Sequence, residues 1–515
     1  MKRTILPLIA CLIPLVSQAA EKPNIIFILA DDMGVGDVSH TTGKAATPAI
    51  DRMAKEGMRF TDAHTTSSVC SPTRYGIITG RYNWRSYLKS AVMWSPDKRG
   101  PMIKKGRATV ASFLKDNGYH TALVGKWHMG LGWHYLDEKR KPEHMGKHKK
   151  PGAGWDIDYS KKVDGGPTEV GFDQSFFIAG SLDMAPYVYL KNDKAVTIPT
   201  HVKAFRRPGA GAADFEAVDC LKDFARESVN YITERAKTKQ PFFLYLPLTS
   251  PHTPIVPSKE WQGKSPIGQY GDFLMETDWV VGQVLKALDD NKIADNTVVI
   301  FTTDNGCSPA AKIPNLVKQG HKPNGDLRGH KADIYEGGHR VPFIVRWPGK
   351  AKAGSETART ITSADFFATA AAIIEQPLAD NMAEDSFSFL PTLTGKEQAA
   401  RPFTIHHSIN GSFAIRQGKW KLCLCPGSGG WSSPHPSKAL KDKKLHPVQL
   451  FDLEADPAEK NNLAEKQPER VNEMIKLVNK AITEGRTTPG EKQENDKPVP
   501  EFNKQLIETY PAAAR

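Results

Sequence analysis

Asn24-Ile25-Ile26-Phe27-Ile28-Leu29-Ala30-Asp31-Asp32 is the stretch that decides the fold. An apolar run this long, without polar alternation, predicts a strand buried on both faces, as in a parallel sheet. Its C-terminal end carries two adjacent carboxylates, and the carboxyl ends of strands are where open α/β sheets bind ligands. Asp31 and Asp32 repel each other unless a hard cation lies between them. Taken alone, the pair reads equally well as a solvated turn. The design recurs at Thr297-Val298-Val299-Ile300-Phe301-Thr302-Thr303, which runs into Asp304-Asn305-Gly306. Two strand ends then offer only oxygen donors, Asp31, Asp32, Asp304 and Asn305, a set that selects Ca²⁺ or Mg²⁺ over Zn²⁺.

Working outward, residues 121–125, 241–246 and 343–347 read as further strands, and 109–117, 214–237 and 268–288 as helices with apolar faces. The expected fold class is α/β: a large mixed, mostly parallel sheet sandwiched by helices. Residues 154–211 are rich in Gly, Pro and aromatics and predict long loops over the active face. Past about residue 400 the texture changes. Residues 404–407, 411–416 and 419–424 predict antiparallel strands, with Gln417-Gly418 as a hairpin turn. Another strand at 450–453 and a helix at 468–482 complete a smaller C-terminal antiparallel sheet plus helix subdomain. The expected division is therefore 20–400 and 401–515, with the polar tail from Gly485 loosely ordered outside 502–510.

The first residues specify an address. Met1-Lys2-Arg3 is basic, an apolar run follows from Ile5 to Val16, and Ser17-Gln18-Ala19 offers a small-x-small cleavage site. Residues 1–19 thus predict a signal peptide, too short to span a bilayer, and an exported protein, periplasmic or secreted. Leu8-Ile9-Ala10-Cys11 supplies the alternative, a lipoprotein anchor at Cys11. The formal net charge of +12 suits an anionic partner. Nucleic acid is set aside, because no zinc-finger spacing or repeated basic–aromatic pattern occurs. Six cysteines in 515 residues make no dense disulfide framework. The basic stretch 137–150 is either a solvated loop or a rim that gathers a polyanion.

Three short motifs carry chemistry. Cys70-Ser71-Pro72-Thr73-Arg74 puts a nucleophile just before a helix start, where free N–H groups favour negative charge, with a permanent cation one turn on. Lys126-Trp127-His128 follows a strand; the two basic residues, two apart on an extended segment, point the same way. Ser250-Pro251-His252-Thr253-Pro254 holds an imidazole on a stiff loop, which suits an acid or base.

Cys-x-Pro-Thr-Arg, with Thr79-Gly80-Arg81 beyond it, resembles the motif of type I, formylglycine-dependent sulfatases, in which Ser is usual where Thr73 stands. The order Asp-Asp, Cys-x-Pro-Thr-Arg, Gly-Lys-Trp-His, Pro-His-x-Pro, Asp-Asn-Gly and Lys331 before Tyr335-Glu336-Gly337-Gly338 is similar to the arylsulfatase branch of the alkaline-phosphatase-like superfamily. The resemblance implies hydrolysis of sulfate monoesters. It implies that Cys70 is oxidised by a formylglycine-generating maturation enzyme and that its hydrate attacks sulfur. It implies one Ca²⁺ held by Asp31, Asp32, Cys70, Asp304 and Asn305, with Arg74 stabilising the attacking oxygen. Lys126 and Lys331 would hold sulfate oxygens, His252 would protonate the leaving alcohol, and His128 would deprotonate the second hydroxyl to release sulfate. Export and positive charge favour a sulfated carbohydrate, with His134, Asp183, Arg206 and Arg207 as candidate subsite residues. The alternatives are a phosphonate or phosphate monoester hydrolase of the same superfamily, and a glycan-binding protein with unmodified Cys70.

Overall fold

The computed structural model describes residues 22–137 and 152–515. The expected signal peptide, the Cys11 anchor and all but the first residue of the basic stretch 137–150 lie outside the described residues. No described helix is long and apolar enough to cross a membrane.

Ten strands form one sheet around Asn24–Ala30, every residue of which is buried. Thr297–Thr303 and Phe242–Pro247 flank it in parallel, with Ile26 opposite Val299 and Leu244. His120–Lys126 and Gln174–Ile178 continue the parallel order, and Phe343–Arg346 lies antiparallel on the other side. Continuous apolar runs form these strands because neither face meets water. Helices Pro48–Glu56, Cys220–Arg235 and Gln269–Asp290 pack as one group, and Cys70–Thr79, Val110–Asp116 and Phe366–Ile373 as another. The Cys220–Arg235 helix begins six residues later than its apolar pattern predicts, because residues 217–219 form a 3₁₀ turn.

Thr404–His407, Phe413–Gln417, Trp420–Cys423 and Gln449–Asp452 form a separate antiparallel sheet in chain order. Helix Pro468–Thr483 packs on it through Val471, Met474, Ile475 and Val478, in a core that also takes in Tyr82 and Trp84.

Two expectations need correction. Residues 154–211 are not all loop: they supply strand Gln174–Ile178 and a hairpin, His201–Ala204 with Pro208–Gly211, that carries Arg206 and Arg207 at its tip. The tail from Gly485 lacks regular structure as far as helix Lys504–Thr509, which falls within the expected 502–510, but it is tied down before that helix. Asp496 N–H donates to Arg85 O at 2.8 Å, and Arg81 pairs with Glu384 at 3.0 Å and Asp496 at 3.1 Å. Polarity in this segment therefore means partners for buried arginines just beyond helix Cys70–Thr79, not solvation.

Candidate active site

Cys70 is the first residue of its helix, not the residue before it, and all ten residues of that helix are buried. Pro72 suits this first turn, since its missing N–H would have no intrahelical partner. The helix closes at Gly80, whose φ of 64° lies in the left-handed region that glycine adopts without cost. The loop before Cys70 is braced by the small sheet: Ser67 pairs with His407, and Ser68 N–H donates to His407 O at 3.0 Å. Ser68 O in turn accepts from Ala332 N–H at 2.8 Å, which joins the Cys70 loop to the segment bearing Lys331.

The strand ends converge on this helix start. Arg74 donates to Asp304 through Nε at 3.1 Å and Nη2 at 2.8 Å, and to Lys126 O at 2.9 Å. Lys126 Nζ lies 2.6 Å from Asp31 Oδ2, and Lys331 Nζ lies 2.6 Å from Asp32 Oδ1. Asp32, His128 and Ala332 adopt φ of 68°, 58° and 80°. Three non-glycine residues in the left-handed region within one site mark backbone held by its surroundings. His128 therefore reaches the site by a backbone reversal after the strand ends at Lys126, not by the two-residue alternation that the sequence suggests.

Charge and burial set the protonation states. Burial alone would raise the Asp31 carboxyl, but Lys126, His252, Arg74 and Lys331 outweigh it and hold it well below the usual range. Burial, then the charge of Asp31, pushes Asp304 up to about 7. Burial raises the Cys70 thiol against the pull of Lys126 and Lys331, so the site does not favour a thiolate. His128 is lowered by burial and by Lys126 and Arg74; His252 is lowered by burial and by Lys331. His128 Nε2–H is assigned as donor to Met93 O at 2.9 Å, which leaves Nδ1 a lone pair with no partner. His252 Nδ1–H is assigned as donor to Thr253 O at 2.5 Å, and its Nε2 stands 3.7 Å from Asp32 Oδ2.

The donor set fits a hard divalent cation. Asp31 Oδ1, Asp32 Oδ2 and Asn305 Oδ1 are buried acceptors without hydrogen-bond partners. Asp31, Asp32 and His252 present donor atoms all within 4.8 Å of one another. Buried oxygens of this kind are costly unless a cation or donor meets them.

Cys70, His128, His252 and Lys331 line one cavity of about 590 Å³. Asp183, Arg206 and Arg207 line it too, with an Asp183–Arg207 ion pair and the Arg207 guanidinium 5.2 Å from the Trp94 ring centre. His134 is not brought in: it lies 3.4 Å from Asp164 and is not among the lining residues. Trp94, Ser308, Ile409 and Trp431 also line the cavity and are missed by motif reasoning. The one available signal was a lone aromatic in the Gly/Ser-rich run Gly427-Ser428-Gly429-Gly430-Trp431.

Comparison with known proteins places the chain in a family. The family model described as Sulfatase matches residues 23–375. The chain is 34% identical to N-acetylgalactosamine-6-O-sulfatase of Bacteroides thetaiotaomicron, over 90% of this chain and 94% of that protein. It is 32% identical to human arylsulfatase A, over 86% of this chain and 84% of that protein. A solved structure described under the metabolism of multiple glycosaminoglycans by Bacteroides thetaiotaomicron superposes with a TM-score of 0.75 at 31% identity, covering 90% of this chain and 99% of the other.

Proposed function

The chain belongs to the sulfatase family and is a sulfuric ester hydrolase, and on that premise we propose that its substrate is a sulfated carbohydrate. One observation carries the assignment. The cavity that holds Cys70, His128, His252 and Lys331 extends, at about 590 Å³, past the reacting centre to Trp94, Arg206 and Arg207. A volume of this size takes a sugar ring, and two arginines suit its anionic substituents. The similarity to a sulfatase named for N-acetylgalactosamine 6-sulfate supports the same substrate class and favours it over a phosphonate or phosphate ester.

We further propose the following roles. Cys70 is oxidised to formylglycine, whose hydrate supplies one hydroxyl to attack sulfur and a second with which to expel sulfate. A divalent cation, Ca²⁺ by its all-oxygen set of Asp31, Asp32, Asp304 and Asn305 beside Cys70, supplies positive charge at the attacking oxygen. Arg74 holds Asp304 and adds its charge from the next helical turn. Lys126 and Lys331 bind the non-bridging sulfate oxygens and fix the ester for in-line attack. Neutral His128, with its free Nδ1, accepts the proton of the second hydroxyl. His252 gives a proton to the leaving alcohol, since a bound sulfate ester raises the proton affinity that burial and Lys331 depress. Export fits a substrate outside the cell, and the maturation enzyme is the required partner.

Turnover of a panel of sulfated sugars, aryl sulfates and matched phosphate esters tests the substrate. Desulfation of sugars is expected, and cleavage of aryl sulfates alone refutes the carbohydrate assignment. Mass spectrometry of the tryptic peptide containing residue 70 tests the modification; an unshifted cysteine in the active native enzyme excludes it.

A further inference from the structure

Of the ten tryptophans, only Trp431 is exposed, at 47 %. An exposed indole is ordinary in isolation, but this one is built into place and lines the catalytic cavity. The backbone N–H of Trp431 donates to Asp333 Oδ1 at 2.8 Å, and the backbone N–H of Ser432 donates to the same oxygen at 2.9 Å. The other oxygen of Asp333 accepts from Ser432 Oγ and from His330 N–H. Asp333 lies two residues after Lys331, so one buried carboxylate ties the Trp431 loop to the segment bearing a catalytic lysine. Ile334 N–H donates to Ser428 O at 2.7 Å and adds a second tie. The loop can sit this close because of its glycines. A Cβ on Gly430 would stand 2.3 Å from Ala332 O, and one on Gly429, whose φ is +63°, would stand 2.8 Å from Ser408 Oγ.

We propose that Trp431 is a substrate-specificity residue: its indole face stacks on the apolar face of a pyranose ring while Lys331, held on the adjoining segment, engages the sulfate. Aromatic faces bury the C–H face of a ring that leaves its hydroxyls free for hydrogen bonding, and a fixed indole loses little conformational entropy on binding. The small C-terminal sheet thereby contributes to substrate choice, through a loop that carries none of the sulfatase motifs. The inference rests on the carbohydrate substrate proposed above.

The test compares Trp431→Ala and Trp431→Phe with the native-sequence enzyme on a pyranose 6-sulfate, with inorganic sulfate as a competing inhibitor. Loss of a contact made equally in ground and transition states raises KM on the order of tenfold and leaves kcat within about twofold. Inhibition by inorganic sulfate, which needs only the sulfate-binding groups, stays unchanged in Trp431→Ala, and Trp431→Phe recovers most of the KM. An unchanged KM overturns the proposal. So does a KM change accompanied by weaker sulfate inhibition, which marks distortion of the Lys331 segment. In both cases the native enzyme still cleaves the sugar sulfate, so the substrate assignment survives. If the native enzyme cleaves aryl sulfates and no sugar sulfate, the substrate assignment itself falls.

Discussion

Two buried clusters of acids, histidines and cations lie among the described residues, and by composition either passes for a metal site. One is the centre formed by Asp31, Asp32, Asp304, Asn305 and His252. The other joins strand Ala63–His64 and helix Glu336–His339 to the small sheet: Asp62, His64, Glu336, His339, His406, Arg416 and Lys421. Asp31, Asp32 and His252 form one group of close donor atoms, and His64, His339 and His406 form another. Hydrogen bonding separates them. In the first cluster three buried acceptor oxygens have no partner. In the second, the imidazole nitrogens are used up. Lys421 lies 3.0 Å from His339 Nε2, which makes that nitrogen an acceptor. His339 Nδ1 lies 3.1 Å from His64 Nδ1, and His64 Nε2 lies 3.0 Å from Asp62 and 2.9 Å from Arg416. His406 spends Nδ1 on Thr65 O and Nε2 on the Thr404 hydroxyl, and its ring stacks on His339 at 4.1 Å. Lys421 also lies 3.0 Å from Glu336 and 2.9 Å from Glu459. One acceptor of the second cluster, Glu336 Oε2, has no hydrogen bond, but two guanidiniums, Arg340 and Arg416, lie 3.7 Å from it. A cluster whose imidazoles are paired and whose acids face resident cations holds the fold together; a cluster with three acceptors left over is organised for something that arrives from outside.

The comparison yields tests of decreasing size. Cys70→Ser should reduce turnover to background while the melting temperature holds, because a serine sulfate has no second hydroxyl with which to expel sulfate; undiminished rates in a sulfatase assay would end the mechanism. Chelation should abolish activity, and metal analysis should find one divalent ion per chain, a content that His64→Ala leaves intact. Loss of metal from the His64 variant would erase the distinction between the clusters.

The paired lysines sharpen it. Lys126→Met should lower kcat by about 10²–10³-fold, the scale of removing one preorganised charge at a transition state. Lys421→Met should leave kcat nearly unchanged but cost about 3–5 kcal/mol in urea unfolding, because Glu336 and Glu459 lose their buried cation. If both variants lose rate and neither loses stability, the second cluster is not structural.

The smallest effect is in pH. Burial is the leading cause that lowers His64, His339 and His406 below their ordinary value near 6.5. The unfolded chain binds protons there that the folded cluster refuses. The stabilisation is thus complete above about pH 6.5 and is lost as pH falls below it, by up to about 1.4 kcal/mol per pH unit for each histidine. Urea midpoints at pH 7.5 and 5.5 check this; equal midpoints contradict it.

Much of this was legible in the chain. Asn24–Ala30 and Thr297–Thr303 declare themselves as buried strands, and the acids that follow each stay beside it in space because a strand end fixes its next residues. Cys70, Arg74, Lys126 and His252 each follow a strand end, a helix start or a stiff loop, so local rules bring them close to their final places; His128 arrives through a positive φ that alternation does not foresee, and Lys331 was marked by the resemblance alone. The start of helix Cys220–Arg235 and the His201–Gly211 hairpin were misjudged because a 3₁₀ turn and a two-strand edge carry little periodicity. His134 was a misplaced candidate because a histidine's neighbours across a loop leave no local trace.

The order of motifs, the oxygen-bearing strand ends and the change of texture past residue 400 are legible in sequence alone, since each motif, strand end or strand declares itself within a few positions. Tertiary structure decided which polar cluster has its imidazoles paired and which holds three unpartnered oxygens, that the tail clamps Arg81 and Arg85, and that Trp431 reaches the cavity. The reason is physical. Whether a buried polar atom is paired depends on partners hundreds of residues away, as with His407 behind the Cys70 loop, and local sequence rules do not see them.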